Sequence, residues 1–229
     1  MYRTTRHHYG CRIVFDHEGY LYFAIGERGT GEHAQDFTRP NGKVHRINKD
    51  GSIPDSNPFV NEKNAMKSLF SLGNRNIQGM AIHPKTGQLW VTEHGPMGGD
   101  ELNLIKAGKN YGWPVITYGL NYNGTVISVL THKEGMEQPI LYWKPSTAVC
   151  GLDFYTGDLF KKWKNKLLVG ALKYEEVSLL SIEDERVMHQ DVVLKGAGRV
   201  RDVSTGPDGA IYVVLNNPGS VLRLTPKKD

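Results

Sequence analysis

Short hydrophobic runs recur along the chain, and each one follows a turn and a shorter hydrophobic run. The longer runs span residues 20–26, 88–93, 166–172 and 210–215, and the shorter runs before them span 12–16, 77–82, 151–155 and 200–204. Glycine and proline separate the runs, and short apolar segments bounded in this way are typical of β-strands. The pattern predicts four antiparallel hairpins, with the longer run of each hairpin as the inner strand of its sheet.

Residues 61–69 form the best candidate for a helix, and it is a short one. No long amphipathic helical pattern occurs elsewhere, so we predict an all-β fold. The turn glycines Gly19, Gly87 and Gly209 close three of the hairpins, and the hairpins recur about every 60 residues, near the length of a propeller blade with its loops. Residues 1–229 are therefore predicted to form a single partial β-propeller domain of about four blades, and a sandwich of hairpins is the alternative.

Polar residues stand at the same two places in every predicted hairpin. The start of the first strand and the end of the second strand lie at one edge of an antiparallel hairpin. These places hold His8 with Glu27 and Arg28; Arg75 and Asn76 with Glu93, His94, Gly95 and Pro96; Ser146 and Thr147 with Lys173; and Arg199 and Arg201 with Asn216 and Asn217. In a propeller these edges converge on one mouth of the central channel, where several cations suit a ligand with several carboxylates.

Composition narrows the classes of protein that fit. The 229 residues carry a formal net charge of +4, and lysine and arginine are scattered rather than clustered as in a nucleic-acid-binding protein. No apolar run approaches the roughly 20 residues that a membrane-spanning helix needs, and no signal-peptide pattern opens the sequence. The two cysteines, Cys11 and Cys150, form neither a disulfide framework nor a CxxC metal motif. We therefore expect no nucleic-acid partner and no membrane span.

A series of motifs runs through nearly the whole chain. The series comprises His8-Tyr-Gly-Cys-Arg-Ile-Val-Phe-Asp16, Ala24-Ile-Gly-Glu-Arg-Gly29, Gly42-Lys-Val-His-Arg-Ile-Asn48, Gly73-Asn-Arg-Asn-Ile-Gln-Gly79, Thr92-Glu-His-Gly-Pro96, Asp100-Glu-Leu-Asn103, Asn110-Tyr-Gly-Trp-Pro114, Leu172-Lys173 and Gly198-Arg-Val-Arg-Asp202. With these motifs the chain resembles the soluble aldose sugar dehydrogenases that depend on pyrroloquinoline quinone (PQQ), the glucose/sorbosone dehydrogenase family. No single motif is specific, but the whole set in this order is.

The resemblance implies a six-bladed propeller of the quinoprotein glucose dehydrogenase type, of which this chain would supply about four blades. The family's N-terminal part has no counterpart in the sequence, because His8 lies almost at its start. The open blade edges of such an incomplete ring would favour self-association. A periplasmic or secreted location is implied by the family alone.

The resemblance also implies catalytic roles for three residues. His8 matches the general base that removes the proton from the sugar C1 hydroxyl, a task that suits a neutral imidazole. Glu27 matches a position beside the base that is often aspartate in the family, and its extra methylene moves the carboxylate. Arg75 would stabilise the charge that develops on the quinone oxygen.

The implied cofactors are PQQ and Ca²⁺. The residues matched to PQQ binding are Arg75, Asn76, Gln78, His94, Ser146, Lys173, Arg199 and Arg201. Gly95 and Pro96 match backbone carbonyl ligands of calcium, which takes oxygen ligands. Ser146 lies in a loop that departs from the family, with Val149 where proline is usual and Cys150 where serine is usual.

Two acidic features stay outside the predicted site. Asp100 and Glu101 are interpreted as a solvated acidic turn. Glu93 and His94 suggest zinc, but no second histidine or cysteine stands at ligand spacing.

The resulting prediction is an oxidoreductase that oxidises the C1 hydroxyl of aldose sugars to lactones by hydride transfer to PQQ and then passes electrons to an acceptor. A calcium-dependent propeller hydrolase, such as a sugar lactonase, is one alternative. It would use Glu27, Glu93, Asn216 and Asn217 as metal ligands but would leave the cations unexplained. A non-catalytic propeller that binds carbohydrate or protein is the other alternative.

Overall fold

The computed structural model describes residues 5–227 and contains four antiparallel β-sheets within that range. The helical segments found there are two short 3₁₀ turns, Gly31–Gln35 and Lys161–Trp163. The predicted all-β chain is therefore confirmed. None of the helical segments in this range is long and apolar enough to cross a membrane.

The four sheets follow one another along the chain, and in each sheet the strands pair in chain order. Sheet 1 contains β1 (Ile13–Phe15), β2 (Leu21–Ile25), β3 (Lys43–Ile47) and β4 (Leu69–Leu72). Sheet 2 contains β5 (Ile77–Ile82), β6 (Leu89–Glu93), β7 (Asp100–Ile105) and β8 (Leu141–Trp143). Sheet 3 contains β9 (Val149–Phe154), β10 (Leu167–Ala171), β11 (Glu176–Glu183) and β12 (Arg186–Lys195). Sheet 4 contains β13 (Val200–Thr205), β14 (Ile211–Asn216) and β15 (Gly219–Leu224).

The first two strands of each sheet are the four predicted hairpins. In sheet 2, for example, Ile77 at the start of β5 pairs with Glu93 at the end of β6. Sheet 4 repeats this arrangement, because Val200 at the start of β13 pairs with Leu215 near the end of β14. The start of the first strand therefore lies beside the end of the second, which brings the polar residues of each hairpin to one edge.

The prediction of the inner strands is wrong. The segments 20–26, 88–93, 166–172 and 210–215 contain β2, β6, β10 and β14, which are the second strands of their sheets. The first strands are the innermost ones, because β1 contacts β5, β5 contacts β9 and β9 contacts β13 across neighbouring sheets. A second strand has a hydrogen-bonded neighbour on each edge and is covered on both faces, so its sequence is the more continuously apolar. The longer apolar runs therefore correspond to strands inside each sheet and not to the strands nearest the centre of the molecule.

The predicted helix over residues 61–69 is wrong as well. Residues 61–68 form turns, in which the Ala65 amide donates to the Glu62 carbonyl, and β4 begins at Leu69. The side-chain amide of Asn57 donates to the Lys67 carbonyl at 2.8 Å and to the Arg46 carbonyl at 3.0 Å. Bonds of this kind from asparagine to the backbone compete with helix formation, which explains the turns.

Three hydrophobic clusters hold the sheets together. The first cluster joins sheets 1 and 2, the second joins sheets 2 and 3, and the third joins sheets 3 and 4. In the second cluster the buried rings of Trp90 and Phe154 meet edge to face with their centroids 6.3 Å apart. Fully burying one large apolar side chain contributes about 1.5–3 kcal/mol, so these clusters keep the four hairpin edges in fixed relative positions.

Candidate active site

One open cavity of about 660 Å³ lies where the hairpin edges of all four sheets meet. Six predicted site residues line it: His8, Asn76, Gln78, His94, Arg199 and Arg201. The remaining lining residues were not predicted, and they are Arg6, Tyr9, Gly10, Cys11, Arg12 and Leu172. Predicted site residues from the edges of sheets 1, 2 and 4 therefore meet at this cavity, whereas sheet 3 contributes Leu172 and not the predicted Ser146 or Lys173.

His8 and Glu27 are in direct contact beside this cavity. His8 precedes β1 and Glu27 follows β2, so the pairing of these strands brings the two residues together. The His8 Nδ1 atom lies 2.6 Å from Glu27 Oε1, and Glu27 is 1% exposed. Glu27 Oε2 accepts hydrogen bonds from the amides of Gly29 and Thr30, the latter at 2.9 Å. A carboxylate only accepts, so Nδ1 of His8 carries the hydrogen of this bond, and Nε2 is the ring nitrogen that lies outside it.

The backbone of His8 has an unusual conformation. Its φ is 57°, in the left-handed region that costs a non-glycine residue about 1–2 kcal/mol. The Arg28 guanidinium donates to the His8 carbonyl oxygen, and the Gly10 amide two residues on donates to Asn76 Oδ1 at 2.9 Å. A Cβ atom at Gly26 would lie 2.2 Å from the His8 carbonyl oxygen, so only glycine fits there. The surrounding contacts therefore fix the peptide of His8 as well as its ring.

Arg12 ties together three of the sheets that form the cavity. Its guanidinium donates to the Gln78 carbonyl, to the Asp202 carboxylate at 2.9 Å and to the Arg201 carbonyl at 3.1 Å. These bonds link sheet 1 to sheets 2 and 4. Asn76 Oδ1 accepts the Gly10 amide, which holds the Asn76 side chain against the segment that carries His8.

Arg75 is buried and does not line the large cavity. Its Nη1 atom donates to the carbonyls of His94 at 3.0 Å and Gly95 at 2.9 Å, and its guanidinium lies 5.2 Å from the centroid of the Trp113 ring. Burial lowers the pKa of Arg75. A carbonyl oxygen has two lone pairs, so Gly95 keeps one acceptor position beside Arg75.

A buried carboxylate shapes the turn that carries Gly95 and Pro96. Asp100 Oδ1 accepts from the Gly95 amide at 2.9 Å and from the Ser146 hydroxyl, and Oδ2 accepts from the Ala148 amide at 2.7 Å. Asp100 is fully buried, so its interpretation as a solvated residue is wrong. It links this turn to the segment that begins at Ser146. Within residues 5–227 no three His, Cys, Asp or Glu side chains are placed to hold a metal ion.

The predicted cations divide into two groups. Arg199 and Arg201 lie on the cavity wall, and neither forms an ion pair with a carboxylate in the described part of the chain. Lys173 lies outside the cavity wall and is exposed, with its Nζ 5.9 Å from the centroid of the Tyr174 ring. Ser146 also lies outside the wall, because its hydroxyl is bound to Asp100.

The cavity fits an anionic ligand of the PQQ type. Among residues 5–227, three arginines on its wall, Arg6, Arg199 and Arg201, form no ion pair with a carboxylate, and Asn76 lines the same space. His94 Nε2 is buried without a hydrogen-bond partner among residues 5–227. Burial lowers the pKa of His94. Cys150 lies 3.8 Å from Arg201 Nη1, and burial raises the pKa of its thiol.

Glu93 occupies in sheet 2 the place that corresponds to Glu27 in sheet 1. Its carboxylate accepts from the Asn74 side chain at 2.8 Å, the Arg75 amide at 2.6 Å and the Asn103 side chain at 3.0 Å. Burial raises the pKa of Glu93. Its cross-strand neighbour is Glu101, and burial together with the charge of Glu93 raises the pKa of Glu101 to about 8.

Three residues that shape the site were given no role in the sequence analysis, although Arg28 was placed at the same edge as His8 and Glu27. Arg28 follows Glu27 directly, and Arg12 lies in the motif that begins at His8, so their position next to predicted site residues was the only available signal. Asp100 begins the motif Asp100-Glu-Leu-Asn103, but its sequence context suggested an exposed turn. The contact of Arg12 with Asp202 spans 190 residues, which no local pattern reveals.

Comparison with known proteins places this geometry among sugar dehydrogenases. A model of the glucose/sorbosone dehydrogenase family matches residues 1–223. Aldose sugar dehydrogenase YliI of Escherichia coli K12 is 45% identical over 228 residues, which cover 98% of this chain and 62% of that protein. The chain thus spans about three-fifths of the length of this relative.

Two solved structures show the same arrangement of strands. The apo form of the soluble aldose sugar dehydrogenase from Escherichia coli matches with a TM-score of 0.92 at 41% identity, over 99% of this chain and 67% of that chain. The PQQ-bound form of aldose sugar dehydrogenase from Streptomyces coelicolor matches with a TM-score of 0.76 at 27% identity, over 96% of this chain and 63% of that chain.

Proposed function

The chain belongs to the glucose/sorbosone dehydrogenase family, and from this premise we propose that it oxidises the C1 hydroxyl of aldose sugars to lactones with PQQ and Ca²⁺. The observation that carries the proposal is the pair of His8 and Glu27 beside a cavity that Arg199 and Arg201 also line. The pair supplies a base, and the arginines supply charge for an anionic cofactor.

His8 is the proposed general base. Oxidation at C1 removes a hydride from carbon and a proton from the hydroxyl, and Nε2 of His8 accepts that proton. Glu27 holds the hydrogen on Nδ1 and stabilises the charge that His8 acquires. PQQ, when bound, would supply the two-electron acceptor for the hydride.

The remaining site residues bind and orient. Arg199 and Arg201 would pair with cofactor carboxylates, and His94, Asn76 and Gln78 would donate to or accept from its other polar atoms. Calcium would be held by the carbonyl oxygens of the turn at Gly95 and Pro96, which Asp100 shapes.

Arg75 fits a different place in this scheme from the one that the resemblance implied. Its guanidinium binds the carbonyls of His94 and Gly95, and Glu93 holds its backbone amide. From that place Arg75 orients the carbonyl oxygens, and its positive charge would favour an anionic cofactor bound near them. Ser146 and Lys173 would bind PQQ only after their side chains turn toward the cavity.

The proposal extends to the assembly in which the chain works. The four sheets would be about four blades of a six-bladed propeller, with further blades against the two terminal sheets. Large apolar side chains on these sheets are exposed, namely Ile13, Phe15, Val214 and Val221, and such surfaces also favour self-association. An electron acceptor and a periplasmic or secreted location complete the proposal.

The alternatives have less support. A calcium-dependent lactonase needs acidic side chains free to hold the metal, but Glu27 is bound to His8 and Glu93 is bound to amides. A non-catalytic binding propeller has no need of an imidazole held against a buried carboxylate.

Reconstitution tests the proposal directly. The 229-residue chain is mixed with PQQ and Ca²⁺, and the absorbance of the bound quinone is recorded before and after an aldose is added. We expect a shifted spectrum that the aldose bleaches and an artificial electron acceptor restores. A chain that binds no PQQ, or that hydrolyses sugar lactones instead, would contradict the proposal.

A further inference from the structure

Glu27 and Arg28 are neighbours in sequence, and together they contact both ends of His8. The Glu27 carboxylate binds the imidazole through Nδ1. The Arg28 Nη1 atom donates to the His8 carbonyl oxygen and, at 3.4 Å, to the Gly26 carbonyl oxygen. We propose that Arg28 is a positioning residue for His8, which holds the peptide in the conformation from which the ring reaches Glu27. This inference rests on the proposed function in so far as His8 is the base of that reaction.

The turn that carries Glu27 and Arg28 explains how two neighbours can act on one residue. Arg28 and Gly29 both have positive φ angles, 66° and 80°. Such a turn directs successive amide groups into one concavity, where the Gly29 and Thr30 amides bind the Glu27 carboxylate. The same turn directs the side chain of Arg28 back over Gly26 to His8.

The ring of Tyr9 holds the guanidinium in place. The Arg28 Cζ atom lies 4.2 Å from the centroid of the Tyr9 ring, and the Tyr9 hydroxyl donates to the Thr5 carbonyl at 2.5 Å. A planar guanidinium can stack on a ring and donate hydrogen bonds at the same time, whereas a lysine ammonium has no such plane. Lysine is therefore expected to replace Arg28 only in part.

The Arg28 guanidinium binds backbone carbonyl oxygens and not a carboxylate. No carboxylate within residues 5–227 forms a salt bridge with it. His8 lacks the conformational freedom of glycine, so its positive φ depends on contacts of this kind. A misplacement of about 1 Å in a catalytic group can reduce the rate about 100-fold. Loss of the Arg28 contact with His8 should therefore change turnover measurably.

The first measurement needs no cofactor. Nitrogen-15 NMR of the histidine side chains in the 229-residue chain shows which ring nitrogen of His8 carries the hydrogen, and His8→Gln assigns the signal. Arg28→Met removes the donors but keeps an apolar side chain against Tyr9, and Arg39→Ala is the matched control because Arg39 is exposed and pairs with Asp36. We expect the Nδ1–H form in the unmodified chain and in the control, its loss in Arg28→Met, and an intermediate state in Arg28→Lys.

The second measurement uses the chain reconstituted with PQQ, Ca²⁺ and an aldose. We expect kcat to fall about 10- to 100-fold in Arg28→Met, with KM and PQQ affinity unchanged and partial recovery in Arg28→Lys. An unchanged His8 tautomer or an unchanged kcat in Arg28→Met overturns the inference. If Arg28→Met does not fold, Arg28→Lys provides both measurements. If the unmodified chain oxidises no sugar, the proposed function fails, and the tautomer still decides whether Arg28 positions His8.

Discussion

Glu27 and Glu93 stand at corresponding places in sheets 1 and 2, just at or beyond the end of the second strand. Both are nearly inaccessible, with 1% and 4% of their surface exposed, and both carboxylates accept several hydrogen bonds. Their partners differ. Glu27 binds the imidazole of His8, which lines the cavity, whereas Glu93 binds amides and has Glu101 as its cross-strand neighbour.

The difference shows that the fold determines where a carboxylate lies and its partner determines what the carboxylate does. A carboxylate that orients an imidazole controls which nitrogen can take a proton. A carboxylate that holds only amides fixes the backbone, in this case the amide of Arg75. We therefore expect substitutions around Glu27 to reduce turnover and substitutions around Glu93 to reduce stability.

The largest effect is expected at His8. Loss of a positioned base costs about 10²–10⁴-fold in rate, so His8→Gln should reduce turnover of the reconstituted enzyme by that factor. PQQ affinity should remain, because the proposed cofactor contacts are made by other residues. Steady-state kinetics and quinone titration measure the two quantities.

His7→Gln is the matched control for that experiment. His7 is exposed, and its ring centroid lies 6.1 Å from that of His8. We expect this variant to keep nearly full turnover. Equal losses of turnover in the two variants would show that His8 is not the base. The expectation that Glu27 acts on turnover through His8 would then be wrong.

The next largest effect is expected on stability. Glu93→Ala leaves the Asn74 side chain, the Arg75 amide and the Asn103 side chain without their acceptor. Each unsatisfied buried donor costs about 1–3 kcal/mol, and partial relaxation or entry of water reduces the sum to roughly 3 kcal/mol. Urea unfolding measures this loss.

Glu18→Ala serves as the control, because Glu18 is exposed and substitutions of this kind stay within about 0.5 kcal/mol. A Glu93→Ala chain that is as stable as the control would show that the amides around Glu93 find other partners. The expectation that substitutions around Glu93 reduce stability would then be wrong.

Much of this arrangement could be predicted from the sequence, because it depends on local patterns. Short apolar runs separated by turn residues identified four hairpins, and antiparallel pairing brought His8 and Glu27 to one edge. The order of strands from the centre of the molecule outward could not be predicted in this way. A strand in the middle of its sheet and a strand nearest the centre of the molecule both produce short apolar runs, so the pattern does not distinguish them. The roles of Arg12 and Asp100 depend on contacts between different sheets or loops, and a single sequence carries no signal for such contacts.

A smaller effect is expected on the cation side of the cavity. Arg199→Ala and Lys173→Ala should each weaken PQQ binding about 10- to 150-fold, which corresponds to the loss of one charge-assisted contact of about 1.5–3 kcal/mol. Arg199 already lines the cavity, whereas the exposed Lys173 must turn toward it. Weakening in Arg199→Ala alone would place the cofactor carboxylates near sheet 4. Unchanged PQQ affinity in both variants would show that these two cations face solvent and do not contact the cofactor.

The last effect is a dependence of stability on pH that belongs to Glu93 and Glu101. Burial raises the pKa of Glu101 from 4.5 to about 8, so the folded pair keeps a proton that the unfolded chain releases. The free energy of unfolding should therefore decrease as the pH rises from about 4.5 to about 8, and this contribution should stay constant above that range. Glu101→Gln cannot ionise, so its stability should vary less with pH in the same window.

Urea unfolding of both chains at several pH values measures the difference, with Glu134→Gln as an exposed control. Because Asn103 donates to both carboxylates, at 3.0 Å in each case, the proton belongs to the pair as a whole. If Glu101→Gln and the unmodified chain lose stability in parallel as the pH rises, the pair is ionised in the folded state. The contrast between Glu27 and Glu93 would then rest on their hydrogen-bond partners alone.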